Sequence, residues 1–147
     1  MNLRKQHWLA WIALCGALAI HVLDEALFDF LALYNPAVVA IREEYPSLPL
    51  PTFTFKTWLA WLIFAVVALV AASWFVWRGR WAMRPISYVF AGLMMLNGLL
   101  HIAGSLYMRD FMPGVYSSPL LIAASLLLLT STRAYSRSRE PSVTSRL

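Results

Sequence analysis

Residues 8–28 read WLAWIALCGALAIHVLDEALF, and this stretch decides the fold. From Trp8 to Ile20 it carries no charge, and apolar residues resume at Ala26 to Phe28. Its length suits a membrane-crossing helix, which needs about 20 apolar residues. Yet His21, Asp24 and Glu25 stand inside it. One charged side chain at mid-bilayer costs about 3 kcal/mol on insertion scales, and two adjacent carboxylates cost more. Such residues persist where they face a protein interior, a water-filled cavity, a metal or a partner. The stretch therefore predicts a buried polar site within the membrane.

The rest of the chain agrees with a membrane setting. It is 61% hydrophobic and 13% charged, against about 25% charged in soluble domains. The single cysteine, Cys15, lies in an apolar run, so neither a disulfide framework nor a thiolate metal site can form within one chain. The net charge of +5 does not point to nucleic acid, because the arginines flank apolar segments instead of forming a basic face. There is no internal repeat, Gly-rich phosphate loop or nucleic-acid motif.

Four apolar segments stand out: Trp8 to Leu33, Thr57 to Trp77, Ile86 to Tyr107 and Val115 to Ser131. They predict an all-α protein, a four-helix transmembrane bundle spanning residues 1–132 as a single domain. The Ser- and Arg-rich remainder, 133–147, reads as a disordered cytoplasmic tail. With the N-terminus inside, the cytoplasmic pieces carry Arg4, Lys5, Arg78, Arg80, Arg84, Arg133, Arg137, Arg139 and Arg146. The external loops carry only Arg42, Lys56 and Arg109. That bias places both termini in the cytoplasm of a bacterial inner-membrane protein. Arg4-Lys5 followed by Trp8 to Ala19 also resembles a signal peptide ending Ala17-Leu18-Ala19; the uncleaved helix is the reading adopted.

In the first external loop, Asn35-Pro36 predicts the start of a short interfacial helix over Ala37 to Tyr45. Pro46, Pro49 and Pro51 end it and return an extended chain to the membrane. The loop reads as a tether on headgroups, with a lid over the external mouth as the alternative. The short turn from Arg78 to Arg84 makes the second and third segments antiparallel neighbours. Pro113-Gly114 breaks the chain in the second external turn.

At 100° per residue, His21 and Glu25 are about 40° apart and Asp24 is about 60° to the other side of His21. Asp29 extends that face. On the third segment Asn97 and His101 are four apart, Ser105 continues the row, and Gly104 beside it offers helix one a close approach. Measured from the inner ends of their helices, His21 and Glu25 lie at roughly 20 and 25 Å, and Asn97 and His101 at roughly 17 and 23 Å. The matched depth predicts one site. His21, Glu25 and His101 suit Zn, Fe or Mn, with Asp24 and Asn97 orienting them. The same groups suit proton transfer, and the two chemistries stay open. His7 reads as interfacial and without a role.

These residues resemble the HXXEE family of small bacterial membrane proteins. The signature here is His21-x-x-Asp24-Glu25, with Asp replacing the first Glu and so one carbon shorter in reach. A second family-like block is Asn97-x-x-x-His101, followed by Arg109 and Pro113-Gly114. The resemblance implies a membrane location and no settled activity. More loosely, His21-x-x-x-Glu25 is similar to the acid/base pair of sterol isomerases of the emopamil-binding type, whose remaining pattern is absent.

Three functions fit. The first is an intramembrane metal or acid/base centre, catalytic through His21, Glu25, His101, Asp24 and Asn97, acting on a small or lipidic molecule among the membrane lipids. The second is a proton- or ion-coupled carrier, which needs a homodimer because four helices are few. The third is an accessory subunit in which the polar cluster only locks helices together.

Overall fold

The computed structural model describes residues 2–138, and among them it holds five helices and no strand. They are α1 (Leu3–Leu27), α2 (Phe30–Glu44), α3 (Phe55–Trp77), α4 (Met83–Met108) and α5 (Ser118–Arg137). Three of them, α1, α3 and α4, are long and apolar enough to cross a membrane.

α1 is the central element. It packs against both α3 and α5, while α4 packs chiefly on α5. Its buried positions, including Trp11, Leu14, Cys15, Leu18, His21 and Glu25, recur at the three- and four-residue steps of a helix face. The Trp11 indole N–H donates to the Leu69 carbonyl at 2.9 Å and its ring leans on Phe90, so one side chain ties α1 to α3 and α4. α3 is the opposite case. Trp61, Phe64 and Val67 are each at least 60% exposed, a continuous apolar face that water would not tolerate and lipid does.

The ends of the helices meet at two poles. At one, Arg4 stacks over Trp77 and Arg84 over Tyr135, beside the turn through Gly79, whose φ of 69° ends α3. At the other lie the ends of α1 and α4, the starts of α3 and α5, and the polar residues.

Several expectations are corrected. The first apolar segment is not one helix, because Asp29 adopts a left-handed conformation (φ 52°, ψ 55°) that breaks it and starts α2 at Phe30. Asp29 is exposed and extends no polar face. Pro36 therefore sits inside α2, not at a helix start, and Asn35 has another task. Its amide exchanges two hydrogen bonds with the Phe53 backbone, at 2.9 and 3.0 Å, which staples the proline-rich return segment to α2. α3 and α4 share a short turn yet do not pack extensively, since α3 leans on α1 and α4 on α5. Nor do small residues bring α4 against α1. A Cβ on Gly98 would meet Ile122 at 2.9 Å, and one on Gly104 would meet Met112 at 2.7 Å, so these glycines admit α5 and the following turn. His7 is buried, with Nε2 2.8 Å from Ser87 Oγ, and is stacked on Tyr135. Finally, α5 runs past position 132 to Arg137, so 133–137 are helical; the expected tail over 139–147 lies outside the described residues.

Candidate metal centre

Consecutive turns of α1 present His21 and Glu25 to the same side, where α4 presents His101. All three are buried, at 1%, 7% and 3% exposure. Glu25 Oε1 lies 3.1 Å from His101 Nε2 and 3.6 Å from His21 Nε2. The two imidazoles meet edge to face, with centroids 4.8 Å apart. One ligand atom from each residue lies within 4.8 Å of the other two. Two donors bound at about 2.1 Å to one tetrahedral ion stand about 3.4 Å apart, which the two Glu25–imidazole distances match; donors as far apart as 4.8 Å must draw together to share one ion. Asn97, one turn before His101, adds its amide, with Nδ2 2.9 Å from His21 Nε2.

The other side of His21 explains Asp24. The spacing that sends Glu25 toward α4 turns Asp24 toward α5, where its Oδ2 accepts from the backbone N–H of Ser117 at 2.8 Å and from the Ser117 hydroxyl at 2.7 Å. Ser117 is the residue that precedes α5, so the carboxylate supplies a helix start with an acceptor. Ser117 Oγ also lies 2.8 Å from His21 Nδ1. A hydroxyl has one hydrogen, and Asp24 takes it, so His21 Nδ1–H must be the donor in that contact. The chain Asp24–Ser117–His21 thus sets the tautomer and makes Nε2 the acceptor of the Asn97 Nδ2–H, with Glu25 beside it at 3.6 Å. This is how an outer carboxylate aims a ligand imidazole.

Asp24→Asn is accordingly expected to weaken divalent metal binding about 10–100-fold while the chain still folds, as read by chelator competition. Asp24→Ala should also lower the melting temperature, because the Ser117 N–H is left buried and unpaired at a cost of about 1–3 kcal/mol.

The turn before α5 closes the site. Gly114 has φ 89°, and a Cβ there would lie 2.8 Å from His101 Nδ1 and Cε1 and 3.0 Å from His21 Cε1. Its carbonyl accepts from the Ser118 hydroxyl at 2.8 Å and lies 3.1 Å from Ser117 Oγ. From the other direction Phe30, the first residue of α2, sets its ring 5.7 Å from that of His101. The start of α2 is therefore part of the enclosure.

Of the residues read from the sequence, His21, Glu25, Asn97 and His101 come together, and Asp24 reaches them through Ser117. Ser105 does not join them: its hydroxyl accepts from Met112 N at 2.9 Å and holds the turn. Arg109 ends α4 in a left-handed conformation and is exposed. Ser117, Gly114 and Phe30 were not foreseen as site residues. A signal for Ser117 existed in Ser117-Ser118-Pro119, a capping residue ahead of a proline in the first helical turn. Nothing local marks Phe30.

The family model described as a protein of unknown function with HXXEE motif matches residues 8–128, which takes in α1 through most of α5. No curated protein and no solved structure matches the chain.

Proposed function

The chain belongs to the HXXEE family, and on that premise we propose that its His21, Glu25 and His101 form a divalent metal centre within the membrane, acting on a small or lipidic molecule. The observation that carries this reading is the clustering of the three side chains, one ligand atom from each within 4.8 Å of the others, with His21 Nε2 held as the acceptor nitrogen, to which Asn97 Nδ2–H donates at 2.9 Å. Two imidazoles and one carboxylate suit Zn, Fe or Mn, and as a set of three they leave a coordination position for water or substrate. An ion so held supplies Lewis acidity or an activated water. Asn97 borders that position and can orient what enters it. Cys15 stays in the apolar core and takes no part.

In the same reading α1, α3, α4 and α5 are four spans of a bacterial inner membrane, forming one domain that extends to the end of α5 at Arg137, with both termini cytoplasmic. The support is the clustering of Arg4, Arg78, Arg80 and Arg84 with the end of α5 at one pole, opposite the metal centre.

A second reading rests on His101. Its Nδ1 is buried with no hydrogen-bond partner among the described residues, while Nε2 is 3.1 Å from Glu25. That pair can share a proton, so Glu25 and His101 would serve as an acid/base couple. Elemental analysis of the folded, purified protein separates the two. The metal reading expects a stoichiometric divalent ion that survives dialysis and is removed by a chelator with a fall in melting temperature. Folded protein without such an ion sinks it and leaves the acid/base couple.

A further inference from the structure

α3 and α4 are joined by a short turn but diverge, and the space between them is not filled by protein. A cleft of about 460 Å³ runs there, walled by Leu18, Val22, Leu62, Leu93, Met94 and Leu96. Leu93 and Leu96 are 56% and 54% exposed, so the α4 wall of the cleft is continuous with the outer apolar surface of the molecule. Its polar lining is His21, Glu25 and Asn97 alone. Phe30 and Trp58, with rings 6.0 Å apart and nearly parallel, part it from a second cavity of about 500 Å³ lined by Tyr34, Phe53 and Trp61. The route into the site is therefore sideways, between two helices and out of the lipid phase.

The geometry points to a single-chain amphiphile with an uncharged oxygen head group, an alcohol or ester, as the molecule this site takes. The inference deepens the metal reading and rests on it for the head group. The cleft lies toward the low end of the range of small-molecule pockets, about 300–1,000 Å³, which suits one aliphatic chain and not two. Its walls offer a chain nothing but apolar contact, and its polar lining belongs to the proposed ligand set and Asn97. The head group follows from charge. Asp24 and Glu25 together balance a divalent ion, so a site cut off from water is near neutral once loaded, and an added anion would be left uncompensated. An alcohol or ester oxygen can fill the remaining position without that penalty.

The test is photolabelling of the full chain in detergent with octadecanol carrying a diazirine at mid-chain, read by residue-resolved mass spectrometry. Labelling of Leu93, Met94 and Leu96 is expected to be saturable and to fall at least tenfold under excess unlabelled octadecanol. Labelling of Phe64 and Val67, on the outer face of α3, should not respond. Octadecane and stearate should compete poorly. Leu93→Trp and Leu62→Trp, which narrow opposite walls, should each remove the saturable label without changing metal content. Label that spreads evenly over both surfaces overturns the proposal, as does equal competition by octadecane. Stearate competing as well as octadecanol overturns the head-group assignment. Elemental analysis of the same samples keeps the two readings apart. Bound metal with no saturable label defeats this inference alone, whereas a saturable label without metal defeats the metal centre.

Discussion

Gly114→Ala is expected to abolish metal binding and to lower the melting temperature on the order of 10 °C, from a single added methyl group. Two costs coincide. An L-residue at φ 89° is strained by about 1–2 kcal/mol. The new Cβ would also stand 2.8 Å from His101 and 3.0 Å from His21, so both imidazoles must move. Overpacking of that kind costs about 1–3 kcal/mol. For a domain of this size about 2–5 kcal/mol in total corresponds to a shift on the order of 10 °C. The rings are also the proposed ligands, so the displacement that relieves the clash would spoil their grouping around one ion. Gly92→Ala is the control, because a Cβ there meets nothing within 4 Å and alanine favours the helix. If Gly114→Ala melts like Gly92→Ala and keeps its metal, the turn does not hold the site as described.

The second large effect is expected from the ligands themselves. Glu25→Gln preserves shape and removes the only carboxylate among the described residues in contact with both imidazoles. Metal affinity should fall by more than the 10–100-fold that an outer-shell partner contributes, and His101→Ala should do the same. The metal-free proteins make the informative comparison. Removing a buried carboxylate whose neighbours are two histidines leaves the apo fold of Glu25→Gln as stable as wild type or more so, since burying an ion within the bilayer is itself costly. Added Zn or Mn should stabilise the wild type by about 2.7 kcal/mol at a hundredfold excess over Kd and leave both variants unmoved. A cluster that only locks helices predicts the reverse, with apo stability lost and metal without effect. Thermal melts with and without metal decide between them.

Much of this was legible along the chain. The absence of charge from Trp8 to Ile20, and the long apolar runs that became α3 and α4, announce helices for a membrane because every residue in a run contributes the same sign to transfer. His21, Glu25, Asn97 and His101 could be paired from spacing and depth, since a helix converts sequence separation into angle and height. What misled was local grammar read without its partners. Asn35-Pro36 has the form of a helix start, yet the chain had already turned at Asp29, and Asn35 was occupied with Phe53. Gly104 beside Ser105 has the form of a helix-packing face, yet it receives Met112. Asp24 read as a residue that orients the ligands, and only α5 shows that it does so through Ser117.

By itself, then, the sequence determined that the chain is helical and membrane-seeking, and that α1 and α4 each carry part of one polar site. Those properties depend on periodicity and transfer free energy within a single segment. The tertiary structure decided that α5, not α4, lies closest along α1, that Ser117 relays Asp24 to His21, that Gly114 abuts both rings, and that α3 and α4 part to leave a cleft at the apolar surface. Each of these depends on where a turn sends the chain and on which of several apolar faces finds another. Faces of equal hydrophobicity are equivalent until shape chooses among them.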